Sequence, residues 1–368
     1  MMYNDNEYQR YIRSLSAPVP KEERSGFSFY RKLVPGQSQA GDIDPWVLSM
    51  LQMLNQEPGP DTIDLHDLGP LRACMNWKSY DITTALINVK HCTFTGRDGN
   101  IIPLRVYSCA EIPGTKPCIL YFHGGGWIGG QMGYVENICK LLAEQIGGVV
   151  VSVDYRLAPE NPFPAGFNDC YDAVKFVAGH CECFEVDPGS IGVAGDSAGA
   201  NLAAACALYD RDQKEHLICF QGLAYPCVNP CAAPTDYYTW NEDFYEIQAH
   251  REEILQLCVY ELPVQRCMKI VEPAYVQGRY ELTNPYISPL FAEDLKGIAP
   301  SVFILPEYDY LRQEGEAYAS RLANSDCKVD VICYCGINHG FMEKVGQYPQ
   351  AEDAIREIAK GFLATTNS

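Results

Sequence analysis

Residues 191–208 read Ile191-Gly192-Val193-Ala194-Gly195-Asp196-Ser197-Ala198-Gly199-Ala200-Asn201-Leu202-Ala203-Ala204-Ala205-Cys206-Ala207-Leu208. The stretch opens as an apolar run, narrows to a serine set between two glycines, and closes as an alanine-rich run. Ser190 to Ala194 has the continuous apolar character of a strand buried on both faces, and Asn201 to Leu208 has the composition of a helix. A G-x-S-x-G pattern in that setting makes a sharp strand-to-helix turn. Its glycines permit close approach of the backbone, the serine hydroxyl is pushed outward, and the helix N-terminus turns its partial positive charge toward whatever the serine meets. Chance supplies the bare pattern in roughly one chain of this length in ten, so the reading rests on what surrounds it.

Upstream, His123-Gly124-Gly125-Gly126-Trp127 follows directly on the apolar run Cys118 to Phe122. Chance gives His-Gly-Gly-Gly in only about a few chains per thousand. Consecutive glycines leave their N–H groups unshielded, so Gly124, Gly125 and Gly126 are candidates to bind a developing oxyanion, with the N–H of Ala198 as a further donor. One such donor is worth about 3–4 kcal/mol of barrier. His123 precedes the serine and reads as an orienter of this loop, not as a base.

A serine nucleophile of this kind takes its acid and then its base from later in the chain, beyond the C-terminal ends of strands. Three histidines follow it: His216, His250 and His339. His216 lies just before the run Ile218 to Ala224, at its wrong end, and His250 lies in a Glu-rich helical stretch. His339 lies beyond the run Val329 to Tyr334 and is assigned as general base. Asp309 stands just past the run Ser301 to Leu305 and is preferred as the acid; Glu307, two residues earlier, is its competitor. Asp330 opens a strand and so faces the opposite edge. A histidine base predicts a rate that falls as pH drops through about 6–7.

Around these motifs, Cys118–Phe122, Val149–Val153, Ser190–Ala194, Ile218–Ala224, Ser301–Leu305 and Val329–Tyr334 alternate with helical segments. That is the pattern of an α/β fold with a parallel sheet flanked by helices. Asn88 to Phe94 and Ile101 to Tyr107 flank Gly96-Arg97-Asp98-Gly99, a hairpin signature that makes the opening of the sheet antiparallel. Between Pro226 and Pro300, more than seventy residues separate two strands, so an insertion with structure of its own is expected there. Its Tyr237, Tyr238, Trp240, Phe244 and Tyr245 are expected either to line or gate a pocket or to pack on the core. The first ninety or so residues read as material laid over a core. One helix stands out there: Asp44 as cap, Pro45 at the first turn, and Trp46, Val47, Met50, Leu51, Met53 and Leu54 on one face until Pro58. An ordinary core helix is favoured over a lid.

The 368 residues are 47% hydrophobic and 20% charged, ordinary for a globular protein, with a formal charge of −19. That charge repels phosphate backbones and anionic lipid, which argues against nucleic acid and acidic membranes as partners. No apolar run approaches the roughly 20 residues of a membrane span. The polar, acidic stretch Met1 to Tyr8 lacks the features of a signal peptide, so a cytoplasmic location is expected. The 17 cysteines are odd in number and scattered, which predicts mostly reduced, buried thiols. Cys181 with Cys183 and Cys333 with Cys335, spaced by two as on a strand, have no second pair to complete a tetrahedral site, and no metal is expected.

In this order, the motifs resemble the hormone-sensitive-lipase family of esterases, also known as bacterial family IV carboxylesterases. The resemblance runs from about Cys118 to the C-terminus and is carried by His123 to Trp127, Asp154-Tyr155-Arg156-Leu157-Ala158-Pro159-Glu160, Phe163-Pro164-Ala165, Gly195 to Gly199, Tyr308-Asp309-Tyr310-Leu311 and His339-Gly340-Phe341. It implies an α/β-hydrolase fold: a mostly parallel central sheet flanked by helices, with a helical cap built partly from the N-terminus. It also implies a serine carboxylesterase that hydrolyses short-chain acyl esters through an acyl-enzyme, without cofactor. The resemblance assigns the triad to Ser197, Asp309 and His339, and the oxyanion hole to Gly124, Gly125, Gly126 and Ala198. The segment Asp154 to Glu160 reads as a pin for the loop behind the nucleophile. The expected organisation is an N-terminal cap region at 1–90 and a catalytic domain at 91–368, with a cap insertion at about 227–280 that is longer than this family usually carries. The expected partner is a small-molecule ester. Two alternatives stand: an acetyl esterase acting on sugars or other natural alcohols, and a non-catalytic ligand receptor on the same fold. The sequence fixes no oligomeric state, a homodimer being one option.

Overall fold

The computed structural model describes residues 5–54, 64–75, 78–110, 112–259 and 263–366. Its strands are β1 (Lys21–Arg24), β2 (Phe27–Lys32), β3 (Ile87–Thr95), β4 (Ile101–Cys109), β5 (Lys116–Phe122), β6 (Val149–Val153), β7 (Val186–Asp196), β8 (Phe220–Ala224), β9 (Ser301–Tyr308) and β10 (Val329–Asn338). Its helices are α1 (Asp5–Leu15), α2 (Pro45–Leu54), α3 (Gly69–Cys74), α4 (Glu136–Ile146), α5 (Ala165–Gly179), α6 (Cys181–Phe184), α7 (Ala198–Gln213), α8 (Arg251–Val259), α9 (Pro263–Arg266), α10 (Arg312–Ala323) and α11 (Pro349–Thr366).

Alternation along the central strands explains the layering. In β5, Cys118, Leu120 and Phe122 enter one hydrophobic cluster with residues of α5, α7 and α10, while Ile119 and Tyr121 enter another with residues of α4 and α11. A strand that is apolar on both pleat faces must be covered twice, and helices do so here. The sheet order is β1-β2-β10-β9-β8-β7-β5-β6-β4-β3. Pairing is parallel from β2 through β6 and antiparallel at β1, β4 and β3. The hairpin at Gly96 to Gly99 closes with Gly96 N–H donating to Asn100 O at 2.9 Å, as its sequence predicts.

One feature of the first ninety residues differs from the expectation of a segment laid over the core. The β1–β2 hairpin extends the main sheet, with β2 lying parallel to β10 in the register Asp330 to Ser28. Apolar patterning gives no sign of β1, whose sequence is Lys-Glu-Glu-Arg. Tertiary contacts hold the hairpin instead: Lys32 is buried and its Nζ donates to Leu15 O, Asp353 and Glu357 at 2.9, 2.5 and 2.7 Å. The helix α2 begins as predicted, with Trp46 N–H donating to Asp44 Oδ1 at 2.8 Å; Pro58 lies outside the described residues. Cys181 and Cys183 sit on the short helix α6, not on a strand. No helix among the described residues is long and apolar enough to cross a membrane.

The insertion forms a 3-10 turn at Glu242–Phe244, then α8 and α9, and a π-helical run Cys267–Val276 containing Pro273. Of its five singled-out aromatics, Tyr238 and Tyr245 are buried and Tyr237 and Phe244 are exposed.

Candidate active site

Ser197, Asp309, His339 and His123 share one placement: each is the first residue after a strand, following β7, β9, β10 and β5 respectively. Those strand ends are level, as the pairings Phe122 with Gly195 and Tyr308 with Asn338 show. Parallel strands that stop together bring side chains from distant parts of the chain to one edge.

At the tip of β7 the backbone reverses within one residue. Ser197 has φ 54° and ψ −118°, a conformation that costs an L-residue of order 1–3 kcal/mol and persists only where the surroundings impose it. Ser197 N–H donates to Ala224 O at 2.9 Å, and Ser197 O accepts from Asn201 N–H at 3.1 Å. The flanking glycines are needed for space: a Cβ on Gly195 would stand 2.6 Å from Phe122 O, and one on Gly199 would collide with that same carbonyl.

His339 Nε2 lies 3.0 Å from Ser197 Oγ, and His339 Nδ1 lies 2.7 Å from Asp309 Oδ2. The Asp309 carboxylate is fully buried; its Oδ1 accepts from Leu311 N–H at 2.8 Å, which leaves Oδ2 to the imidazole. Tyr245, from the insertion, donates its hydroxyl to Asp309 O at 2.7 Å. Glu307, the competing acid, is turned elsewhere: its Oε2 accepts from Gly336 N–H at 2.9 Å, tying β9 to β10. His250 is exposed and paired with Asp42 at 2.6 Å, far along the chain from these groups.

The glycine loop is fixed by a set of buried bonds. Asp196 Oδ1 accepts from Gly124 N–H at 3.1 Å and from the Tyr121 hydroxyl at 3.0 Å. Gly124 therefore has its N–H committed, a correction to its place among the oxyanion donors. The expectation of oxyanion donors then rests on the N–H groups of Gly125, Gly126 and Ala198. Gly125, at φ 121°, accepts at its carbonyl from Gly129 N–H at 2.9 Å, which curls the loop back on itself. Behind it, Tyr155 stacks on His123 at 4.3 Å between ring centroids and donates to His123 O at 2.6 Å. His123 Nδ1 is 2.8 Å from Gly124 O and must be its protonated nitrogen. Arg156 pairs with Asp169 and Asp98, each at 2.7 Å, and Glu160 with Arg72 at 2.8 Å, so the segment Asp154 to Glu160 is pinned to its surroundings by ion pairs.

Burial governs the charges. It lowers His123 to about 4, which keeps that imidazole neutral. It raises Asp196 to about 6 against the opposing effect of its two hydrogen bonds, and raises Glu343 to about 8 with help from the Asp196 charge.

A cavity of about 380 Å³ opens beside Ser197 and His339. Val47 and Met50 of α2, Leu71 of α3, and Arg266 and Ile270 of the insertion are among its lining. Thus α2 is a cavity wall as well as a core helix. None of Tyr237, Tyr238, Trp240, Phe244 and Tyr245 belongs to that lining; Tyr245 acts instead on the Asp309 backbone. Sequence reasoning named Tyr245 without its bond to the Asp309 carbonyl, and missed the Asp196 to Gly124 bond and Arg266. Asp196 alone had a signal, as the residue inside G-x-S-x-G.

The family described as alpha/beta hydrolase fold matches residues 119–343. The arylesterase of Saccharolobus solfataricus is 34% identical over 241 residues, covering 66% of this chain and 73% of that protein. The esterase LipI of Mycobacterium tuberculosis is 33% identical over 251 residues, covering 67% and 72%. Among solved structures, the hyperthermophilic esterase from the archaeon Pyrobaculum calidifontis superposes with a TM-score of 0.71 at 32% identity, covering 89% of this chain and 100% of that one.

Proposed function

Because this chain belongs to the α/β-hydrolase fold family, in its hormone-sensitive-lipase branch, we propose that it is a serine carboxylesterase acting on small, short-chain acyl esters. The observation that carries this reading is the unbroken series Asp309–His339–Ser197, at 2.7 and 3.0 Å, beside the glycine loop that follows His123. Similarity to proteins named as esterases supports the reaction class.

In this reading Ser197 Oγ attacks the ester carbonyl as His339 Nε2 takes its proton. The carbonyl oxygen gains negative charge opposite the N–H groups of Gly125, Gly126 and Ala198, which need no reorganisation to meet it. Asp309 holds the Nδ1–H tautomer and balances the imidazolium. The proton on Nε2 then passes to the departing alkoxide, leaving an acyl-enzyme on Ser197. A water molecule, deprotonated by His339, cleaves that acyl bond and restores the site.

The cavity volume of about 380 Å³ is at the small end of the roughly 300–1,000 Å³ usual for ligand sites, which supports short acyl chains. We assign the cap to α2, α3 and the insertion, since these supply walls of the cavity, and we count the β1–β2 hairpin with the catalytic domain. Hydrolysis of p-nitrophenyl acetate, butyrate, octanoate and palmitate by the wild type and by Ser197→Ala tests the reading. Preference for the short esters and a loss of about 10⁴-fold or more in the variant are expected. Activity that survives in Ser197→Ala would refute it.

A further inference from the structure

Arg266 stands in the cavity wall, contributed by α9 of the insertion, and the hydrolytic steps make no use of it. Its side chain is only 7% exposed, and Nε, Nη1 and Nη2 are all buried without a hydrogen-bond partner. The nearest counter-charge is Glu314. Its Oε1 accepts from the N–H groups of Val228 and Asn229 at 2.8 and 3.1 Å, while its Oε2 lies 3.6 Å from Arg266 Nη2. That is an ion-pair separation too long for a hydrogen bond. One face of the guanidinium covers the Tyr310 ring, with Cζ 5.3 Å from the centroid, and that ring is 5.3 Å from the ring of His339. Glu314 therefore balances the charge, and Tyr310 covers one face and offers its hydroxyl to the fork, yet a guanidinium with five N–H groups keeps donors to spend.

Buried donors are almost always met, and a guanidinium carries five in a rigid fork that matches oxygen acceptors. Asn338 Oδ1, in a residue of the same lining, also has no hydrogen-bond partner. A wall shaped only for a hydrocarbon chain has no use for such groups.

We propose that Arg266 is a specificity residue that selects esters bearing a second oxygen acceptor, a carbonyl or a carboxylate, a few atoms from the scissile bond. The inference rests on the esterase reading and narrows its substrate class. The selection is asymmetric. A site built to hydrogen-bond a substrate group rejects the analogue lacking it far more strongly than an apolar pocket rejects an added one. With Glu314 supplying the counter-charge, a neutral carbonyl suffices, and a carboxylate adds the two-pronged geometry.

Two sets of matched esters test this, with kcat/KM measured by pH-stat against a Ser197→Ala background. Methyl valerate, methyl levulinate and monomethyl succinate vary the acyl part. Butyl acetate, 3-oxobutyl acetate and 3-acetoxypropanoate vary the alcohol. The expected result is that, in at least one set, the wild type favours an oxygenated member over its alkyl partner by about tenfold or more. Arg266→Met should then lower that ratio at least about tenfold, whatever the absolute rates, and Arg266→Lys should keep part of it. A preference confined to the ketone marks a neutral acceptor, and one for the acid marks an anion. An alkyl preference in both sets, or a ratio unmoved in Arg266→Met, overturns the proposal. If Arg266→Met does not fold, the wild-type ranking alone decides. Ser197-dependent turnover with no preference sinks only this inference, whereas no turnover of any ester sinks the esterase reading and this one with it.

Discussion

Replacing Asp309 by asparagine changes one oxygen to an amide nitrogen in a fully buried position, and the surrounding bonds dictate which way the new amide must face. Leu311 N–H points at Oδ1 from 2.8 Å and requires an acceptor there. The amide NH₂ is then left facing His339 Nδ1 across 2.7 Å, so Nδ1 must accept and the ring proton moves to Nε2. That nitrogen, 3.0 Å from Ser197 Oγ, then donates where catalysis needs it to accept. Flipping the amide restores the tautomer but sets two buried donors against each other at Leu311, at a cost of about 1–3 kcal/mol for each unmet group. A flip cost near 3 kcal/mol leaves under about one molecule in a hundred with the productive tautomer. The lost stabilisation of the imidazolium adds to this, for an expected fall in kcat approaching 10⁴, or about 5 kcal/mol. The assay is kcat for p-nitrophenyl butyrate, with circular dichroism to show an intact fold and Glu307→Gln as a control. Glu307 holds Gly336 N–H and never touches the imidazole, so the control should stay within about tenfold of wild type. A folded Asp309→Asn variant that retains a tenth of the wild-type rate would refute this account of the acid, as would a larger loss in Glu307→Gln.

Gly199→Ala should destabilise by about 1–3 kcal/mol or more and lower kcat, because its Cβ must displace the Phe122 carbonyl that carries the glycine loop; chemical denaturation beside kinetics checks it, and wild-type values in both would contradict the packing argument. Tyr245→Phe should cost about 1 kcal/mol and less than about tenfold in kcat, since Asp309 O keeps the Arg312 N–H at 3.0 Å after the hydroxyl is gone. A drop of 10³ or more would mean that the hydroxyl does more than hold the backbone. His123 and Asp196 make opposite contributions to stability against pH. The folded His123 sits at about 4, below the roughly 6.5 of an unfolded chain, so the unfolded state takes the proton first and stability is lost as pH falls from about 6.5 to 4. Folded Asp196 sits at about 6, above its unfolded value, so stability is gained as pH falls through about 6 to 4. The difference in unfolding free energy between wild type and His123→Asn should therefore shrink by about 3 kcal/mol from pH 7 to pH 4. Urea unfolding at several pH values measures it, and a difference independent of pH would show that the imidazole titrates in the folded protein as it does in the unfolded chain.

The candidate site was legible because its parts sit at strand ends. An apolar run followed by Gly-x-Ser-x-Gly, by His-Gly-Gly-Gly, or by Asp309 or His339 is a local signal, and parallel strands that end together convert four local signals into one edge. The β1–β2 hairpin had no such signal, since Lys21 to Arg24 carry no apolar residue and the pairing partner β10 lies at the far end of the chain. The commitment of Gly124 was equally hidden. Three consecutive glycines look alike in sequence, and only the position of Asp196 Oδ1 separates the first from the others. Tyr245 and Arg266 lie in the insertion, where aromatic content announces burial without saying against what. One reaches the Asp309 backbone and the other the cavity wall through a path set by α8, α9 and a π-helical run that no period of the sequence predicts.

The pairing of β2 with β10 joins Ser28 to Asp330, roughly 300 residues apart. A ribosome adding about 5–20 residues per second delivers the first partner some 15 to 60 seconds before the second. During that interval β2 lacks its partner strand, and the flank of the sheet beyond β9 stays open until β10 emerges. Closure of this flank of the sheet thus waits for β10, and a chain cut short before β10 keeps a bare margin to which another incomplete copy can bind.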